Sequence, residues 1–479
     1  MASGSLRKST VLENVARAVG ANVFSLTLST ALVLVVPRMV GVADYGYWQL
    51  YSFCLSWVGV LHFGWIDGVY LKVAGTSYDT LDFRKLGTQF WCCLVWMCLL
   101  GVGVAAYGIS APGGMDPELS ILFVLLGPGI VLVCSNTFLN FTLQATGRIT
   151  EYAKITVIER SVFACLVLSS VAMGLRDFYY LLGAEIAARS ASFIYLTVQC
   201  PEIAKLPVEV SKSDLREIAD NVRVGFKLLI ANLASLGVIG VARLMIQLKW
   251  GVDAFGQLSL VLGVSSLGIA FVSAVAIVAF PLLRRASVPS LPGVFVAIRS
   301  VLTYSALAAM LAYFPLREFL STWLSAYADG LRYLVLLFPL CLYEGKMALL
   351  VSSFWKAMRK ERLMARLNLA AVAFATIWSA VAAFVFGSLD LCVLGIIVTV
   401  ALRSMVGEAL VGRTLGVSTA GRSLVWSILV MTFMALGYSS PAWLGVGIQA
   451  ILLVIVLLAD RRQVVESCRY LRAASQERR

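Results

Sequence analysis

Charged side chains stand inside long apolar runs of this chain, among them Arg38, Asp67, Glu159, Arg160, Glu185, Arg189, Arg243, Glu344, Lys346, Arg403 and Glu408. Charge in such a run is costly and normally faces a cavity or a partner. Among these, cations outnumber anions six to five, and the anions are unevenly placed. Glu185 precedes Arg189 by four residues, so the two can pair on one helical face. Arg38 and Arg243 have no acid within a turn on their own runs, and Arg403 has no obvious partner. A surplus of buried cations suits an anion such as a pyrophosphate, and the planar guanidinium fork meets phosphate oxygens two at a time. Arg38, Arg160, Arg189, Arg243, Lys346 and Arg403 are therefore the candidate substrate-binding residues. Plainer roles stay open: Arg38 and Arg160 can snorkel to an interface, and Arg189 can be spent on Glu185. His62 and Asp67, five residues apart, are candidates for ion coupling, although a structural role is the simpler reading.

Covalent chemistry has little to work with. The chain lacks a G-x-x-x-x-G-K-[ST] phosphate loop, a G-x-S-x-G elbow and an H-E-x-x-H pair. One histidine and no C-x-x-C argue against a metal or iron–sulfur site, so neither cofactor nor metal is expected. Eight of the ten cysteines fall in apolar runs, where thiols pack. The longest polar stretch, Cys200 to Arg223, is too short for a catalytic domain, and an enzyme is not expected.

The elements that must position these charges are membrane helices. Of 479 residues 60% are hydrophobic and 14% charged, with a mean hydropathy of +0.88. A soluble domain is nearer 45–50% apolar and about 25% charged. The net charge of +13 does not imply nucleic acid, because the cations sit in short clusters between apolar runs. About twenty apolar residues cross a bilayer, and the sequence holds about fourteen such runs, from 18–40 to 441–459. The first is too long for a signal peptide. Arg7/Lys8, Arg84/Lys85, Arg148/Lys154, 205–227, Arg284/Arg285, 356–366, Arg413/Arg422 and the tail from Arg461 fall on one side. The alternate loops at 108–118 and 437–443 have no Lys or Arg. The positive-inside rule then puts both termini in the cytoplasm, as an even count requires.

The chain also repeats itself. ANVFSL at 21–26 returns as ANLASL at 231–236, and GVADYG at 41–46 as GVDAFG at 251–256. VLLGP at 124–128 returns as VLLFP at 335–339, and LQATGR at 143–148 aligns with FWKAMRK at 354–360. The offset stays between 210 and 212. The expected fold is all-α and polytopic: two pseudo-symmetric six-helix lobes plus two C-terminal helices. The N-lobe covers 1–200, a cytoplasmic linker 201–225, the C-lobe 226–413, the extra pair 414–460 and a basic tail 461–479. Parallel repeats place a transported solute between the lobes, and the glycine motifs are read as extracytoplasmic hairpins.

Together with PRMVGVADYGYWQL (37–50), three further stretches carry a resemblance: LQATGRITEYAKITVIER (143–160), ANLASLGVIGVARLMIQLKWGVDAFGQLSLV (231–261) and AFVSAVAIVAFPLLRR (270–285). The chain resembles the Wzx-type polysaccharide flippases, whose superfamily also holds lipid II flippases and multidrug extruders. The resemblance implies a transporter in the bacterial cytoplasmic (inner) membrane, moving undecaprenyl-pyrophosphate-linked oligosaccharide to the outer leaflet for surface polysaccharide assembly. It implies membrane lipids, a polysaccharide polymerase and glycosyltransferases as partners, and cationic side chains in a central cavity. Arg38 matches the arginine that relatives carry before the first glycine hairpin, and Arg243 occupies a comparable place in the second half. The alternative is a lipid II flippase or a multidrug/ion antiporter on the same fold. Fourteen runs and many arginines disfavour the antiporter, while Asp67 and His62 favour it. A cytoplasm-negative potential would drive an anion outward by about 2.3 kcal/mol per charge per 100 mV.

Overall fold

The computed structural model describes Phe24 and residues 27–110, 113–205, 210–285 and 291–476, which form helices and turns without a strand. Arg7, Lys8, the start of the first apolar run and most of the 21–26 motif lie outside the described residues. Compact packing divides the chain into two units, Met1–Leu233 and Ala234–Arg479.

The first unit contains α1 (Thr27–Met39), α2 (Val42–Ser56), α3 (Trp65–Val73), α4 (Phe83–Ser110), α5 (Pro117–Ala145), α6 (Ile149–Ala172) and α7 (Phe178–Gln199), and the start of α8 (Lys212–Arg285). The second contains the rest of α8, then α9 (Leu291–Met310), α10 (Tyr313–Trp323), α11 (Leu334–Ala357), α12 (Arg362–Val385) and α13 (Leu389–Leu415). It ends with α14 (Ala420–Ser439), α15 (Ala442–Ala459) and α16 (Arg461–Gln476).

Eleven helices among the described residues are long and apolar enough to cross a membrane, and the bent pair α2–α3 makes a twelfth. The 74 residues of α8 would run about 110 Å at the α-helical rise, several bilayer cores long. Gly251 breaks it with φ 80° and ψ −168°, a conformation closed to residues with a Cβ. Two passes therefore fit in α8, and α1 is a shorter apolar helix, so the count is roughly compatible with the expected fourteen. The protein is a multi-pass, all-helical membrane protein.

The polar stretch 201–225 does not hang free between the units. It begins with the helical turn Pro201–Ala204 and enters α8, which packs on the first unit. Arg84 donates both terminal nitrogens to Asp214 at 3.3 and 3.2 Å, and Asn221 donates to Gln89 Oε1 at 2.7 Å. Gln89 donates in turn to Glu217 at 2.9 Å, whose carboxylate also holds Lys72 at 2.6 Å. The boundary between units consequently falls inside α8, at Leu233.

The internal repeat is written into the backbone. At the end of α5, Thr146 N–H donates to Thr142 O, Gly147 to Gln144 O and Arg148 to Leu143 O. At the end of α11, 212 residues on, Met358 donates to Phe354 O, Arg359 to Lys356 O and Lys360 to Trp355 O. Gly147 has φ 79° and Arg359 φ 55°, the left-handed residue that closes a Schellman-type cap. The prolines of VLLGP and VLLFP, Pro128 and Pro339, sit inside the corresponding helical segments.

Candidate functional site

In the first unit, α2, α6 and α7 enclose a polar cavity of about 180 Å³. Trp48 enters from α2, Glu159, Arg160 and Phe163 from α6, and Glu185 and Arg189 from α7. Glu185 is the hub. One carboxylate oxygen accepts Trp48 Nε1–H at 2.8 Å and Ser52 Oγ–H at 3.0 Å, and the other holds Arg189 Nη2 at 2.7 Å. Arg189 lies also 3.5 Å from Glu159, and the Trp48 and Phe163 rings stack at 5.5 Å. Arg160 is exposed at the wall. The structure thus brings two expected residues, Arg160 and Arg189, into one site, with Arg189 engaged by two carboxylates. Only the Glu185 half of that pairing is visible in the sequence spacing.

In the second unit the charges interlock. Glu408, on α13, receives Lys346 Nζ from α11 at 2.9 Å on one oxygen and Arg299 Nε from α9 at 2.5 Å on the other. All three side chains are no more than 5% exposed. Arg299 continues to Thr419 O and Ser423 Oγ, both at 2.9 Å, and Ser423 donates to Glu408 at 2.8 Å. Arg299 and Lys346 each lie 4.4 Å from the Trp426 ring, a cation–π sandwich that helps to meet the desolvated charge. Lys346 opens a π-helical turn, Lys346–Val351, an interruption that often marks a functional position.

Arg403, five residues before Glu408 on α13, grips Glu344 through Nη2 at 2.6 and 2.7 Å. Its Nε and Nη1 are buried without an acceptor among the described residues. Arg403, expected to have no obvious partner, and Lys346 each have a carboxylate on a neighbouring helix, which spacing along one helix cannot reveal. Arg299 is the member of this cluster that the sequence does not single out. A lone arginine between Ile298 and Ser300 in the run 293–315 is the signal that could have found it.

Arg243, on α8, is half-buried, donates Nη2–H to Ser259 Oγ at 2.8 Å and lies 4.8 Å from the Phe255 ring. Arg38 is exposed on α1. His62 and Asp67 are both buried at the 70° bend between α2 and α3. His62 Nδ1 accepts the Gly64 N–H at 3.2 Å, and the residues of the bend, Phe63 and Gly64, take φ 50° and 82°. His62 thereby stabilises a turn, the simpler of its two readings. No group of three or more His, Cys, Asp or Glu among the described residues could hold a metal ion.

No family model and no curated protein matches the chain. Solved structures do. An inward-facing multidrug resistance MATE family transporter of the MOP superfamily aligns with a TM-score of 0.63 at 14% identity, covering 82% of this chain and 94% of that one. The lipid II flippase MurJ, in an inward closed conformation, aligns with a TM-score of 0.66 at 10% identity, covering 95% of this chain and 99% of its own. The chain shares its fold with these two transporters. At these identities the likeness concerns the fold, and the site residues rest on their own geometry.

Proposed function

We propose that the protein is a flippase that carries an oligosaccharide linked to undecaprenyl pyrophosphate from the cytoplasmic to the outer leaflet, for surface polysaccharide assembly. The observation that carries this reading is extent. The lipid II flippase accounts for 95% of the chain, whereas the multidrug transporter accounts for 82%. The longer match favours a flippase of a lipid-linked substrate over a multidrug transporter. Arg38, Arg160, Arg189, Arg243, Lys346 and Arg403 are the candidate cations for the pyrophosphate, and of these Arg160 and Arg189 line one polar cavity of the first unit. Arg189 is held by carboxylates of α6 and α7, and Lys346 and Arg403 by carboxylates that join α11 to α13. The driving force is the membrane potential acting on the pyrophosphate charge.

The same extent of fold supports a second reading, a lipid II flippase. Depletion of the protein, followed by analysis of lipid-linked intermediates, separates the two. Accumulation of a polyprenyl-linked polysaccharide repeat on the cytoplasmic leaflet supports the first reading, and accumulation of lipid II with cell lysis supports the second. Unchanged levels of both contradict the two alike.

A further inference from the structure

The second unit contains a cavity of about 340 Å³ that none of the buried cations lines. Three loops build it: Trp250, Asp253 and Gln257 at the Gly251 break, Asp329 and Arg332 before α11, and the first residues of α13. The volume lies within the ~300–1,000 Å³ of small-molecule sites, which pair apolar walls with a few orienting polar groups. Along α11 and α13 the cavity stands opposite the ends bearing Lys356 and Arg413, so it lies at the poorly basic end of these helices.

Its chemistry opposes phosphate. Arg332 is already engaged: Nη2 donates to Tyr333 Oη at 2.5 Å and lies 3.1 Å from Asp390, to which Tyr333 also donates. Asp253 and Asp329 are exposed, and among the described residues neither carboxylate accepts a hydrogen bond. With the one lining cation paired to Asp390, the two lining carboxylates repel an anion and offer acceptors to hydroxyl or ammonium donors. Tryptophan beside carboxylates and an amide suits a ring with an apolar face and a polar rim.

The first unit shows what the same place looks like when closed. There Asp44 Oδ1 accepts the Phe178 N–H at 3.0 Å, at the start of α7. Tyr47 donates to Asp116 at 2.8 Å and packs its ring 4.8 Å from Phe178. At the repeat offset Tyr47 becomes Gln257 and Phe178 becomes Leu389, while the acid of the glycine motif moves from its fourth position to its third, Asp253. The start of α13 is capped instead by Ser388, which accepts from Leu391 N–H. Both acids of the second-unit loops are thereby released from internal bonds, and a cavity remains where the first unit has packed rings.

We infer that this cavity is a saccharide subsite, taking a neutral or amino sugar of the transported lipid while the pyrophosphate binds elsewhere. The inference rests on the flippase reading. The probes are the lipid-linked oligosaccharide extracted from depleted cells and undecaprenyl pyrophosphate without sugar, each titrated against the purified full-length protein. Wild type is expected to bind the glycosylated lipid at least tenfold more tightly than the bare carrier. Trp250→Ala is expected to abolish that preference with bare-carrier affinity unchanged. Asp253→Asn, at an exposed position, is expected to weaken the preference and guards against a folding defect in the tryptophan variant. Equal binding of both lipids by wild type, or a preference retained in both variants, overturns the saccharide subsite and leaves the flippase reading standing. Binding of neither lipid to wild type overturns the flippase reading and the subsite with it.

Discussion

Lys346 Nζ lies 2.9 Å from Glu408 Oε2, and both side chains are buried between helices of the second unit. Since Arg299 occupies the other oxygen of the same carboxylate, Glu408 alone neutralises two buried cations. Removing the shared acid strands both, and breaking a buried pair from one side costs about 3–5 kcal/mol. Glu408→Gln is expected to lower the midpoint of thermal unfolding in detergent steeply and to reduce the amount of protein in the membrane. Lys346→Met leaves Glu408 paired with Arg299 and should do much less harm. Equal stability of Glu408→Gln and wild type would show that the cluster does not hold the helices.

The helical class, the approximate number of passes and the repeat were all legible in the sequence, because each depends on patterns along the chain. Twenty-residue apolar runs report the bilayer, and the constant offset between Gly147 and Arg359 reports a duplicated helix end. Pairing between helices was not legible. Glu185–Arg189 is an i,i+4 pair and could be read, whereas Glu344–Arg403 and Glu408–Lys346 are separated by 59 and 62 residues. The fate of 201–225 was hidden for the same reason. Its polar residues look like a linker until Gln89 and Arg84 of α4 are seen to bind them.

The close backbone approach of α3 to α8 depends on glycine. A Cβ on Gly225 would stand 1.9 Å from Gly64 O, and one on Gly68 would stand 2.0 Å from Asn221 O. Backbones approach so closely in membranes only where small residues allow it. Gly225→Ala should therefore separate the helices at a cost of about 1–3 kcal/mol or more, the range for overpacked cores. Gly103→Ala, which meets nothing within 4 Å, is the matched control. A thermal-unfolding comparison of the two decides it: similar midpoints would mean that α3 does not seat on α8.

The alternation of basic loops assigns a side to each connection. Single cysteines at Gly114 and Ser440, in a background without native cysteines, should react with an impermeant maleimide added to intact cells. Cysteines at Ser211 and Ser475 should react only after permeabilisation. Labelling of Ser211 from outside would invert the assigned orientation, and with it the direction of transport.

Transport of a lipid-linked saccharide is the central claim, and reconstitution measures it directly. Proteoliposomes carrying the extracted lipid-linked oligosaccharide are given an inside-negative potential, and the fraction reaching the outer leaflet is followed with an external glycosidase. Wild type should accelerate exposure of the sugar severalfold over empty vesicles, with a rate that rises as the potential grows. Arg243→Ala should lose most of that acceleration, and Arg243→Lys should keep part of it, because lysine retains the point charge without the fork. A wild-type rate no faster than that of empty vesicles, with the protein folded and correctly inserted, would contradict the flippase assignment.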